Sequence, residues 1–274
     1  RRSEGFELLE QLRERVHRTG THSLRGCTCR FLAFLPLLMR AVSRGFVSRS
    51  SAEFFKTVFT TGATLGVNVT KLSGRALFRN YKSALGARDA VSTAVRARLD
   101  KFKTLRVCPF TYASARSIIP WEHFRIFPMG AVPKPHEPDV WRPTSDHTAS
   151  GLNPASCLDG LRYSLHTLKA ISKSLLFQWY MGVDDVADAF PFIPLSPMLW
   201  PFFLFVWYDL EEGASPDALA LYVHLFADFG ASGTPGTWKI ILEDVFLAVA
   251  RSESVITLPI ECYVDDLSTL GDDP

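Results

Sequence analysis

The sequence predicts an α+β chain: a helical, basic N-terminal region followed by a part in which apolar strands alternate with helices. Three observations carry this. Apolar stripes at helical spacing dominate the N-terminal part. Apolar runs rich in aromatic and β-branched residues dominate the C-terminal part, and two of them end in carboxylates. Charge also separates along the chain. Residues 1–120 hold 22 Lys and Arg against 7 Asp and Glu, whereas 121–274 hold 8 against 21. A basic half suits a polyanion and an acidic half suits cations; segregated, solvated surface charge gives the same counts.

Composition narrows the classes further. At 274 residues the chain can bury a sizeable core in one domain or two. Its apolar runs are short; Phe31 to Met39 is nine residues, contains Pro36 and is flanked by Arg30 and Arg40. A bilayer span needs about 20 residues, so the run reads as a buried helix and no membrane partner is expected. The five cysteines (Cys27, Cys29, Cys108, Cys157 and Cys262) form no zinc spacing and no even disulfide framework. That predicts a reduced, intracellular protein of nucleus or cytoplasm rather than a secreted one.

In order, residues 1–18 read as an amphipathic helix, with Phe6, Leu9, Leu12 and Val16 on one face. Ser50-Ser51-Ala52-Glu53 matches a capping box for a helix through Phe54, Phe55, Val58 and Phe59, which Gly62 ends. From Gly66 to Ala84, Arg75, Arg79 and Lys82 interleave with Phe78 and Tyr81. Such a strip either tracks a nucleic-acid backbone or is a solvated face with two core aromatics. Ala87 to Lys103 reads as a helix with the stripe Ala90, Val91, Ala94, Val95, Leu99 and Phe102. Pro109 to Pro128 reads as an irregular connection.

Met129 to Pro135 is a short strand, 136–140 a turn, and Trp141 to Asp146 the returning arm of a hairpin with a cation on each arm, Lys134 and Arg142. Ser156 to Lys173 carries leucines at helical spacing. Leu175 to Val183 is an apolar strand leading into Asp184-Asp185-Val186-Ala187-Asp188-Ala189-Phe190. The four prolines between Phe190 and Pro201 predict turns, and Phe202–Tyr208 and Leu219–Phe226 are further strands. Asp228 to Thr237 is a small-residue loop before a helix, Trp238–Ser252. Thr257 to Val264 is the last strand, with Asp265-Asp266 as a hairpin turn and Leu267–Leu270 as its return. Carboxylates gathered at strand ends repel one another unless a cation neutralises them, so the two acidic brackets predict a shared Mg²⁺ site.

These segments together resemble the fingers and palm of a reverse transcriptase. Gly130 through Lys134 and Arg142 to Gly151-Leu152-Asn153 is similar to the hairpin over the incoming nucleotide. Asp185 to Phe190, continuing Ile193-Pro194-Leu195, resembles the first palm motif. Phe229-Gly230 with Gly233-Thr234-Pro235 resembles the loop that supports template and nucleotide. Tyr263-Val264-Asp265-Asp266 is similar to the catalytic turn. Upstream, Gly45-Phe46 and Ser83-Ala84 with the basic helix after them are similar to the DIRS-type tyrosine-recombinase retrotransposons.

The resemblance implies a helical basic region over 1–108, fingers over 109–174 and a truncated palm, an antiparallel sheet backed by helices, over 175–274. It implies an RNA-directed DNA polymerase that uses RNA template, DNA primer, dNTPs and two Mg²⁺ ions, with Mn²⁺ as a substitute. Asp185, Asp265 and Asp266 would be catalytic and bind metal, with the backbone carbonyl of Val186. Spacing to Ala189-Phe190 favours Asp185 over Asp184. Lys134, Arg142, Asp188, Ala189, Phe190, Phe229 and Gly230 would bind the nucleotide, Phe190 as the gate against a 2′-hydroxyl. Gly233, Pro235 and Tyr263 would meet template and primer. Phe229 stands where some relatives have Gln, and the basic residue that many carry near Thr148 is absent. The chain ends eight residues after Asp266, which implies a fragment without thumb, RNase H or recombinase. A decayed or domesticated relative that binds RNA without catalysis is the alternative.

Overall fold

The computed structural model describes residues 24–119, 121–135, 137–161, 163, 180–186, 189–256, 260–263 and 266–271. The expected helix over 1–18, most of that over Ser156–Lys173, and the residues Asp188 and Asp265 lie outside them. Helices α1 (Leu24–Ser43) and α2 (Arg49–Thr61) come first. The cap of α2 is Ser48, whose hydroxyl accepts from Ser51 N–H, and not the expected Ser50. Glu53 pairs forward with Lys56 at 2.7 Å instead of reaching back to close a box. Gly62 ends the helix at φ +87, where a Cβ would fall 2.4 Å from the Ser196 nitrogen.

A short strand β1 (Arg75–Leu77) and helices α3 (Lys82–Gly86) and α4 (Arg88–Asp100) follow. Helix α4 stops short of the expected Lys103 because Phe102 takes φ +52 and turns the chain into β2 (Thr104–Phe110). The expected irregular stretch therefore starts inside a strand, and its far end holds helix α5 (Ala115–Ile118) and β3 (Phe124–Ile126). Strands β4 (Met129–Lys134) and β5 (Glu137–Ser145) form the expected hairpin. Residues 156–161 form a bridge and a turn rather than the start of a helix. Then come β6 (Tyr180–Asp185), β7 (Leu204–Tyr208) and β8 (Leu219–His224). A continuous helical segment joins α6 (Thr234–Lys239), a π-helical stretch Ile240–Leu247, and α7 (Ala248–Ser252). Strands β9 (Ile260–Tyr263) and β10 (Asp266–Gly271) close the chain.

The fold is mixed α+β. A five-stranded sheet runs β1-β3-β7-β8-β2, parallel from β1 to β7 and antiparallel from β7 to β2. A separate antiparallel sheet runs β6-β10-β9 and carries both acidic brackets. Strands β7 and β8 lie between those brackets in sequence yet pair with β3 and β2, so the chain leaves the small sheet after β6 and returns only at β9.

Helix α4 buries Val91 and Val95 against Phe127, Met129, Phe205, Trp207 and Tyr222. On the other side α1, α2 and the π-helical stretch meet through Phe34, Phe55 and Phe246, with ring centroids 5.2–5.5 Å apart. Arg40 adds a two-bonded ion pair with Glu253 at the surface. No helix among the described residues is long and apolar enough to cross a membrane.

Candidate functional site

The register of the small sheet brings the two acidic brackets together. Asp266, first in β10, is the Cα partner of Asp185 on one side and of Tyr263 on the other. Directly opposed residues of an antiparallel pair lie about 4.5–5.5 Å apart at Cα and share a face of the sheet. Asp184 is paired with Leu267, whose other partner is the buried Cys262. Leu267 packs against the core, so the rung of Asp184 belongs to the core face. The Asp185–Asp266 rung belongs to the other face, two residues from Val183, which is 59% exposed. The backbone thus distinguishes two neighbouring aspartates that look alike in sequence.

After β6 the chain passes the half-buried Val186, which packs on the core, and reaches a 3₁₀ turn at Phe190–Phe192. Ala189 and Phe190 are buried. The Phe190 ring lies 4.7 Å from that of Phe229, which is 67% exposed at the tip of the small-residue loop. Phe190, Phe229 and Gly230 are therefore neighbours. Gly230 is required: a Cβ there would fall 1.9 Å from the Ser145 carbonyl oxygen. Gly233 meets the Leu65 carbonyl just as closely, at 2.0 Å. Pro235 occupies the first turn of α6, where its missing N–H costs nothing.

The two hairpin cations are arranged differently from one another. Lys134 is opposite Glu137, and its Nζ lies 3.6 Å from that carboxylate. Arg142 is opposite Val132 and exposed. The hairpin packs on α3 and α4.

Beneath the loop lies a charged network that the sequence did not announce. Asp228 is buried, with both carboxylate oxygens 3.0 Å from His147 Nε2. Its Oδ2 is 3.8 Å from His224 Nε2, and His224 Nδ1 shares a 2.6 Å hydrogen bond with Thr104 Oγ1. Burial alone would push the Asp228 carboxyl up, but His147, His224 and Arg98 outweigh it and hold the group below the usual carboxylate range. Burial, aided by the Arg98 charge, pushes His224 well below an ordinary histidine. These residues are scattered over β2, β5 and β8 and their flanks, so no spacing rule could find them. The one local signal is Asp228 at the head of the loop.

Among the described residues no cluster of three or more His, Cys, Asp or Glu is arranged to hold a metal ion. The backbone register puts two aspartates, Asp185 and Asp266, at one level of the sheet, and carboxylate oxygen is the donor type Mg²⁺ takes. That donor chemistry fits the group. No protein-family model matches the chain, and no curated protein matches it.

Proposed function

We propose that this chain is the catalytic core of an RNA-directed DNA polymerase that adds dNTPs to a DNA primer on an RNA template. The observation that carries the reading is the shared rung of Asp185 and Asp266, reached from two motifs about eighty residues apart in the chain. Bound Mg²⁺ would lower the pKa of the primer 3′-hydroxyl and stabilise the departing pyrophosphate. Asp185 and Asp266, with Asp265 next to Asp266 in sequence, would supply the oxygens that hold it. Lys134 and Arg142 neutralise the triphosphate, and Lys134 must exchange Glu137 for phosphate to do so. Phe190 closes the space under the sugar, its ring supported by Phe229. The thiols of Cys108 and Cys157, neither of them in a disulfide, suit an intracellular setting.

The test is primer extension by the full-length protein with Mg²⁺, dNTPs and a primed RNA template. Asp185→Asn and Asp266→Asn should each lower the rate by on the order of 10³-fold, whereas Asp184→Asn should extend normally. Equal extension by Asp185→Asn overturns the reading.

A second reading, RNA binding without catalysis, is favoured by the strip along β1. The Arg79 guanidinium sits 5.0 Å over the Tyr112 ring, and Arg75, Phe78 and Tyr112 line an open groove of about 540 Å³. Cations and aromatics so placed suit single-stranded nucleic acid. Salt-dependent RNA binding with no primer extension under any metal would select this reading.

A further inference from the structure

The buried network joins two segments that both serve the proposed nucleotide pocket. Segment 145–153 follows the hairpin bearing Lys134 and Arg142. Loop 228–234 bears Phe229 and Gly230. His147 is fully buried between the rings of Phe127 and Phe203, 4.5 and 4.7 Å away, and its Nε2 donates to Asp228. Asp228 Oδ1 also accepts from the Gly230 N–H at 3.3 Å. Asn153 works from the other side. Its Nδ2 donates to the Gly230 carbonyl at 3.0 Å, and its Oδ1 accepts from the Ser232 N–H at 2.9 Å. Gly230 itself is in close contact with Ser145. The segment is fixed in turn, because Asp146 accepts from the Tyr81 hydroxyl at 2.7 Å and from Ala149 N–H at 2.8 Å.

An apolar packing of the same volume would hold two segments together as well as or better than a buried polar pair. What the polar groups add is direction. The Asn153 bonds go to the Gly230 carbonyl and the Ser232 N–H, and the Asp228 carboxylate that His147 holds takes the Gly230 N–H, so the loop has one register against the hairpin base. Phe229, between Asp228 and Gly230, is left as the exposed residue whose ring meets Phe190.

We infer that Asp228, His147 and Asn153 are positioning residues: a latch that holds the Phe229–Gly230 loop at a set distance from the phosphate-binding hairpin, so that base, sugar and triphosphate of one dNTP are met together. This rests on the polymerase reading above. Loosening the latch lowers the fraction of protein with a formed pocket, which raises the KM for dNTP and leaves kcat nearly unchanged.

The experiment uses the full-length protein with Asn153→Ala, Asp228→Asn and His147→Gln. Amide hydrogen exchange is followed by mass spectrometry, and steady-state extension is measured at fixed primer–template. In Asn153→Ala the peptide over 228–234 should exchange about tenfold faster while β7 and β8 keep wild-type protection. The dNTP KM should rise about tenfold with kcat within about twofold. Unchanged exchange in the loop, or a fall in kcat at constant KM, overturns the latch. If the two buried variants fail to fold, Asn153→Ala, at the partly exposed edge of the network, carries the test alone. A wild-type protein that extends no primer sinks the polymerase reading, and the latch then stands or falls on the exchange pattern.

Discussion

The Phe190 and Phe229 rings are 4.7 Å apart at an interplanar angle of 48°, one ring buried and the other exposed. A pair of this kind gives a rigid wall, because the buried ring is fixed by the core and the exposed one leans on it. On the proposed reading Phe190 excludes a 2′-hydroxyl by occupying its space. Phe190→Val should therefore raise the kcat/KM for ribonucleotides relative to deoxyribonucleotides by on the order of 10–100-fold. Single-nucleotide incorporation with each substrate measures the ratio. An unchanged ratio removes Phe190 from sugar selection.

Two glycines make opposite predictions. At Gly230 a methyl group would meet the Ser145 carbonyl oxygen at 1.9 Å and His147 Cδ2 at 2.8 Å, so backbone must shift. Gly230→Ala should cost about 2–3 kcal/mol. At Gly86, in helix α3, nothing lies within 4 Å of the added atom and φ is not positive. Gly86→Ala should stabilise by about 0.5–1 kcal/mol through the unfolded chain's lost freedom. Urea midpoints at constant slope would report both. A neutral Gly230→Ala would show that the loop does not press on the hairpin base.

Local signals gave the elements; non-local pairing decided their places. The stop at Gly62, the pairing of β4 with β5 and strands β7 and β8 were legible from turn residues and apolar runs, although β5 begins at Glu137, inside the turn expected over 136–140. That β7 joins β3, and that β8 joins β2 more than a hundred residues away in the chain, was not legible, since alternation names a strand but not its partner. Strand β2 itself was hidden by Pro109 and by a register shift between Arg106 and Cys108, which breaks its period of two. For the candidate site, the spacing within the resemblance pointed to Asp185, and the fold makes that residue the register partner of Asp266, a pairing that no local pattern announces. The Asp228 network was invisible because a buried carboxylate is marked only by its partners, and these meet only in the folded chain.

The same network makes stability depend on pH. His224 has its folded pKa depressed, first by burial. The unfolded chain takes up a proton at this residue near pH 6.5 while the folded one does not. Stability is therefore full above about pH 6.5 and falls as pH drops toward the folded value, with a limiting slope of about 1.4 kcal/mol per pH unit. Asp228, also depressed, adds a further loss below about pH 4, where the unfolded carboxylate protonates first. His224→Gln, which can still bond Thr104, should flatten the profile between pH 7 and 5. Thermal melts of both proteins across that range check it. A parallel pair of profiles would place the acid sensitivity elsewhere.

At the far end of the large sheet, Arg106 grips Asp209 with two bonds, Nε to Oδ1 at 2.9 Å and Nη2 to Oδ2 at 2.6 Å. The side chains are 19% and 7% exposed, so neither charge is well hydrated if left alone. The Arg106 bond is the main cause that holds Asp209 below the usual carboxylate range, against the opposing effect of burial. Beside them the Tyr222 hydroxyl donates to the Tyr208 carbonyl and accepts from Leu210 N–H, and burial pushes it up to about 12. Asp209→Asn keeps the shape but leaves the guanidinium without its charge partner, which should cost on the order of 2–3 kcal/mol. Arg106→Lys keeps the charge but not the planar fork, and should lose a comparable part of the stability. Because Glu211 also reaches Arg106, at 3.2 Å, part of the charge is still compensated in Asp209→Asn. A double-mutant cycle with Arg106→Met and Asp209→Leu should give a coupling of about 1–3 kcal/mol, with the double variant less destabilised than the sum of the singles. Additive losses would mean that the pair, despite its geometry, contributes no more than two separate surface charges.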